Sequence, residues 1–331
     1  MKKFYKLFVC LAIVACFFIL PVTNRTAKAD DSVYLGGFAA GFSIKSRGAE
    51  IVGLSDVITK YGLVSPSKQC GIEIGDKLMS IDGIEINCSK DIENALKNFK
   101  GENVVLVIKR NDEKIIKEVQ PVEDMSGEFK LGLFIRDNLN GVGTMTFIKK
   151  NGEFMALGHP IVEEDNSLTE IVSGELYKCS IIGVNKGVRG KAGELKGIFI
   201  KDDCIGEISR NLNQGLRGKL SSDFDFSILK EVNLGTAKMG SAKIVTSVNG
   251  VEPKTYDIMI VKTENGDENG KNYVIKVIDE ELLGIAGGIV QGMSGSPIIQ
   301  DGKLVGAVTH VFLNDPTRGY GISIDNMLGT K

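Results

Sequence analysis

The chain has 331 residues, 43% of them hydrophobic and 25% charged, with a formal net charge of −2. This length and apolar content suit a buried core and about two domains. The mixed charge, without a basic stripe or an acidic tail, excludes an electrostatic nucleic-acid surface. Two histidines and no H-E-x-x-H give no zinc pattern, and no cofactor motif stands out.

The chain opens on a targeting pattern. Lys2, Lys3 and Lys6 precede an apolar run from Leu7 to Leu20, and polar residues then lead to Ala27-Lys28-Ala29. This predicts export of the chain with cleavage of segment 1–29 after Ala29; an uncleaved anchor is the alternative. Cleavage leaves Cys70, Cys88, Cys179 and Cys204, whose spacings fit no metal pattern and which read as buried free thiols.

Residues 33–122 read as a small domain. Gly71 to Gly83 contains a turn, a short strand and an Asp-Gly turn. Ser89 to Phe99 carries Ile92, Leu96 and Phe99 at helical spacing, with Ser89 as the expected cap. Val104-Val105-Leu106-Val107-Ile108 and Lys114 to Val119 flank a polar turn and predict a hairpin. The run Gly75-Asp76-x-Leu78-x-x-Ile81-Asp82-Gly83, followed by a helix and a hairpin, resembles a PDZ domain. That resemblance implies a peptide added to a sheet edge, its C-terminal carboxylate held by a loop of backbone amides. The loop is expected at Gly41, Phe42 and Ser43.

Pro121 to Gly127 reads as a linker, and residues 123–331 as a second, mostly β domain. Strand-like runs include Leu131 to Ile135, Gly143 to Ile148, Ile181 to Val184, Gly197 to Ile200, Ala242 to Thr246 and Tyr256 to Val261. Asn151-Gly152, Asn249-Gly250 and Asp301-Gly302 are turn signals between apolar runs. Many short strands at such spacing predict barrels or a sandwich. One helical turn is expected over Asp279 to Ile285.

The chemistry concentrates at Gly292-Met293-Ser294-Gly295-Ser296-Pro297. Serine attacks a carbonyl only when a base takes its proton and backbone donors hold the oxyanion. His159, in Gly158-His159-Pro160-Ile161, is the expected base; His310 is its competitor. An acid should orient the imidazole. Asp165, Asp202, Asp203, Asp223, Asp225, Asp257, Asp267 and Asp279 lie between His159 and Ser294, and composition does not choose among them. An α/β-hydrolase elbow is disfavoured because G-x-S-x-G needs glycine where Ser296 stands, and Pro297-Ile298-Ile299 reads as strand rather than helix.

The segment Gly292 to Thr309 resembles the nucleophile region of chymotrypsin-like serine proteases. By that resemblance the amides of Gly292 and Ser294 form the oxyanion hole. Met293 stands where trypsin-like enzymes have an Asp, so activation by an ion pair to a freed N-terminus is excluded. The whole order of motifs, with Val308-Thr309-His310-Val311-Phe312 and Asn314-Asp315-Pro316-Thr317-x-Gly319-Tyr320-Gly321 after Ser294, resembles the stage IV sporulation protein B peptidase family. The resemblance implies a mainly β protein, a small α+β PDZ domain followed by a chymotrypsin-like double β-barrel peptidase. It implies a secreted serine endopeptidase of endospore-forming bacteria, active between forespore and mother cell without a cofactor. Its expected partners are a membrane regulatory protein, cleaved to activate a late mother-cell sigma factor through an intramembrane protease, and the chain itself, by autocleavage. The family's acid corresponds best to Asp279, 15 residues before Ser294. The alternative from another class is a non-catalytic PDZ adaptor with a degenerate protease fold.

Overall fold

The computed structural model describes residues 32–97, 99–163, 166–264 and 270–329. The targeting segment expected at 1–29 lies outside them. The described part from Ser32 onward forms one compact unit. It is built from antiparallel strands in which apolar residues alternate with exposed ones. In Lys254–Thr263, for example, Tyr256, Ile258 and Ile260 point into the core.

Two barrels carry the architecture. In the first, Ala39–Ser46 pairs with Leu139–Ile148 on one side and Ile171–Asn185 on the other. Glu194–Leu212, Gly215–Leu220 and Glu153–Ala156 continue the ring, which closes where Glu153–Ala156 pairs back onto Leu139–Ile148. Ser32–Leu35 and Glu231–Asn233 extend it at the edge. Phe42, Ile44, Met145, Phe154 and Leu216 fill its interior. The second barrel closes through Gly240–Thr246, Lys254–Thr263, Tyr273–Val277, Asp315–Ser323, Lys303–Phe312 and Pro297–Gln300. Closure pairs every strand edge, which an open sheet of this size would leave exposed.

The sheets divide the chain differently from the boundary expected at 122/123. Ala39–Ser46 belongs to the first barrel, paired residue for residue with Leu139–Ile148, Ile44 opposite Leu139. The small domain, 47–138, is therefore inserted between two neighbouring strands of the peptidase. Its sheet runs in the order Leu133–Arg136, Ala49–Leu54, Lys77–Ile81, Val104–Arg110, Glu113–Val119. Ile51, Leu78, Ile81, Leu106 and Ile108 form its core. Burying each such side chain contributes roughly 1.5–3 kcal/mol. The expected hairpin is present as Val104–Arg110 and Glu113–Val119. Pro121 to Gly127 is not a linker: Val122–Glu123 pairs with Phe129–Lys130, and Asp124 Oδ1 accepts from the Ser126 and Glu128 amides to close the turn between them.

Two local motifs have clear causes. The Gly75-Asp76 signature exists because Asp76, 1% exposed, accepts Arg110 Nε at 2.6 Å and Nη2 at 2.8 Å, tying the turn to the hairpin. The helix Ser89–Leu96 is capped at Cys88 rather than Ser89. Asp91 Oδ2 reaches back to the Asn87 and Cys88 amides, while Ser89 bonds Asp137 instead. The four described cysteines are free thiols, and of these only Cys179 is fully buried, its pKa pushed up to about 11 by that burial.

Because Ser46 and Leu139 end adjacent strands, replacing 47–138 by a two-residue Asn-Gly turn should leave the barrels able to form. The expected result is a β-rich circular dichroism spectrum with one cooperative melt. A disordered or aggregated product would count against the insertion.

Candidate active site

Ser294 and His159 line one cleft of about 590 Å³ where the two barrels meet, together with His310 and the Gly292 backbone. The serine sits on a turn fixed from both sides. From the first barrel, Thr144 Oγ1 donates to Gly292 O at 2.9 Å, Thr146 Oγ1 to Gly295 O at 2.7 Å, and the Thr144 amide to Ser294 O at 3.0 Å. From the second barrel, Val308 O accepts the Gly295 amide at 2.8 Å. Gly295 has φ +93°, and a Cβ there would lie 2.1 Å from Thr144 O, so only glycine allows this approach. Met293 is fully buried in the second barrel's core, where an Asp would be an uncompensated charge.

The amides of Gly292 and Ser294 are unpaired among the described residues, as an oxyanion hole requires. The Ser294 hydroxyl donates to Thr309 O at 2.8 Å. Attack on a carbonyl needs it turned from that acceptor toward an imidazole.

His159 follows a backbone reversal in which Leu157 and Gly158 both take positive φ, +69° and +72°. For leucine that conformation is strained, and it swings the next side chain off the strand line. His159 Nδ1 lies 2.9 Å from Pro160 O. A carbonyl only accepts, so Nδ1 carries the proton and Nε2 keeps its lone pair, the tautomer a general base needs. Burial lowers the His159 pKa, with the Pro160 bond opposing in part. His310 faces it, ring centroids 4.9 Å apart. Burial first, then the neighbouring His159 and Lys271 charges, push His310 down to about 4.

Asp279 is not beside His159. It is the N-cap of the helix Glu280–Ala286: Oδ1 accepts the Leu282 amide at 3.0 Å and Oδ2 the Asp257 amide at 3.2 Å. A main-chain carbonyl, Pro160 O, occupies the position expected for the acid. Of the other acids considered, Asp203 pairs with Lys178, Asp257 with Lys243, and Asp225 caps a turn at Ser227. Asp165 and Asp267 lie outside the described residues. No carboxylate is among the described residues lining the cleft.

The amide loop expected at Gly41, Phe42 and Ser43 is a barrel strand. Gly41 is there because a Cβ would meet the Phe199 ring at 2.5 Å, and Phe42 walls the catalytic cleft. The inserted domain has its groove elsewhere, about 540 Å³ between the helix Ser89–Leu96 and the edge strand Leu133–Arg136. Leu131-Gly132-Leu133 lines it too, with Gly132 at φ +72°. An edge strand beside a helix is what adds a peptide to a sheet. The sequence signal was the Leu131 to Ile135 run, legible as a strand but not as an edge.

Two β-barrels with a serine, an imidazole and free amides in the cleft between them define a serine peptidase of chymotrypsin-like architecture carrying a PDZ domain. Residues 127–328 match the SpoIVB peptidase S55 family, and the chain belongs to it. The chain is 39% identical over 69 residues to a protein of Clostridium perfringens (strain 13 / Type A) named "Putative zinc metalloprotease CPE1693", a match covering 21% of each. It thus spans about a fifth of the length of that curated relative. Similar solved structures include the PDZ domain of the SdrC-like protein Lmo2051 from Listeria monocytogenes, at 19% identity over 28% of this chain and 90% of that one, with a TM-score of 0.22. Another is the active form of the Rv3671c protease from M. tuberculosis, at 12% identity over 58% and 72% of the two chains, with a TM-score of 0.33.

Two outcomes test the site. Asn caps a helix about as well as Asp, so Asp279→Asn should leave kcat within about threefold, while Asp279→Ala should cost about 1 kcal/mol of stability in denaturant titration. A catalytic orienter would instead lose about 10⁴ in kcat on the Asn change. With His159 as base, activity needs its neutral form, and a lowered pKa keeps that form at lower pH. The acid limb of kcat/KM against pH should therefore fall below the ordinary histidine value of 6.5.

Proposed function

We propose that this protein is an exported serine endopeptidase in which His159 is the general base and Ser294 the nucleophile. The carrying observation is that both line one cleft, with His159 Nδ1 bound to Pro160 O and two unpaired amides beside the serine. His159 Nε2 takes the hydroxyl proton as Ser294 Oγ attacks the scissile carbonyl. The Gly292 and Ser294 amides hold the oxyanion. The imidazolium returns the proton to the leaving amine, and water repeats the sequence on the acyl-enzyme.

The cleft walls bear on the substrate. Phe42, Val142, Ile161, Ile289, Val290 and Val311 are apolar, and the described lining holds no Asp, Glu, Lys or Arg. A charged side chain entering it would lose water without gaining a partner. The substrate is thus an extended, apolar stretch of protein. In keeping with the family, that protein is a membrane-anchored regulator of an intramembrane protease, cut between forespore and mother cell to activate a late sigma factor. The chain itself is a second substrate. The groove beside Leu133–Arg136 takes a peptide C-terminus.

Intact mass of the purified wild type beside Ser294→Ala tests this directly. The wild type should trim itself and react with a fluorophosphonate at Ser294, and the variant should do neither. Cleavage persisting in Ser294→Ala would overturn the nucleophile, and an unreactive wild type would favour an adaptor. On fluorogenic peptides, Leu, Phe or Val before the cut should exceed Asp or Lys by about tenfold or more in kcat/KM, roughly 1.4 kcal/mol.

A further inference from the structure

A general base works only if its nitrogen is held within a fraction of an ångström of its target. The Nδ1 bond of His159 goes to its own neighbour, Pro160, so it orients the ring but does not anchor the loop. The anchors come from outside. On the barrel side, Asn211, 8% exposed, clamps both arms of the loop. Its Oδ1 accepts the Ile161 amide at 3.0 Å, and its Nδ2 donates to Ile161 O at 2.6 Å and Thr169 O at 3.0 Å. The inserted domain supplies the other grip. Lys77 Nζ lies 2.6 Å from Glu163 Oε1, four residues past His159, with the two side chains only 16% and 24% exposed. Arg47, at the domain's first junction, donates its amide to Glu170 O at 2.9 Å and sets Nη1 3.5 Å from Glu170 Oε2. Both of these ion pairs between the inserted domain and the peptidase end on this one loop.

We infer that the inserted domain positions the catalytic histidine, with Lys77 and Glu163 as positioning residues that set the loop carrying His159. The inference rests on His159 acting as the base. Its physical ground is the burial of the pair. Exposed ion pairs hold little, but removing one partner of a largely buried pair leaves the other charge uncompensated, and the loop must move to hydrate it. Lys77 is fixed in turn, since its strand Lys77–Ile81 is flanked by Ala49–Leu54 and Val104–Arg110. The brace therefore ends in a sheet, not in a mobile surface side chain.

The test uses the full chain and measures three things: kcat and KM on a small apolar fluorogenic peptide, the rate of fluorophosphonate labelling, and the melting temperature. Lys77→Glu and Glu163→Lys, each alone, should lower kcat and the labelling rate by about tenfold to a hundredfold, at temperatures well below their melts. Combining them restores opposite charges and should recover most of the loss. Lys68→Ala, which breaks an exposed pair with Asp56 inside the inserted domain, should leave the rates unchanged. If a reversal variant does not fold, Glu163→Gln gives the same reading with a smaller perturbation. Folded single variants with rates within twofold of wild type overturn the inference, as does a double variant no better than the singles. Failure of the wild type to label at Ser294 would instead count against the His159–Ser294 chemistry itself, so the two failures are separable.

Discussion

The structure depends on the fastening of one turn to two barrels. Thr144 and Thr146, both fully buried, spend their hydroxyls on the Gly292 and Gly295 carbonyls. In an apolar interior an unpaired carbonyl is costly, so these bonds leave the turn little choice of conformation. They also leave the Gly292 and Ser294 amides unpaired among the described residues, with their positive partial charge beside the serine. The threonines lie on Leu139–Ile148, the strand that also closes the first barrel and receives the chain back from the inserted domain. The fastening of the Ser294 turn, the closure of the first barrel and the domain junction thus share one strand.

The insertion follows from the same arrangement. A hairpin between Ala39–Ser46 and Leu139–Ile148 can open at its tip without disturbing its register, because the pairing is complete before the chain departs. The inserted sheet then lies against the histidine loop, with Lys77 and Arg47 at the contact. Its groove is formed beside the edge strand Leu133–Arg136, which is hydrogen-bonded to Ala49–Leu54 and through it to the strand of Lys77. The groove and the grip on the histidine loop are therefore parts of one small sheet, the first on its edge strand and the second on an interior strand.

Legibility in the sequence followed the range of the interactions. The hairpin of Val104–Arg110 and Glu113–Val119 was legible because its alternation and polar turn are local. The domain boundary was not. Ala39–Ser46 has the composition of a strand in either domain, and only its partner at Leu139 assigns it. The helix Ser89–Leu96 was read nearly to its ends, but its cap shifted by one residue because Asp137, far along the chain, takes the Ser89 hydroxyl. Asp279, 15 residues before Ser294, is implied as the acid only by the family resemblance. That spacing reflects the helix it caps, which lies between it and the nucleophile turn.

By itself the sequence determined the chemistry's raw material: a serine between glycines, two histidines, a Met293 that forbids a buried ion pair, and many short strands that suit barrels or a sandwich. These are properties of residue type and local period, which a chain carries regardless of its fold. Only the tertiary structure decided which histidine gains an orienting acceptor, that the acceptor is the Pro160 carbonyl rather than a carboxylate, and where the inserted domain's groove lies. Each of those depends on a partner or a packing environment that only the closed barrels create. A main-chain carbonyl has no signature in the sequence, since every residue carries one.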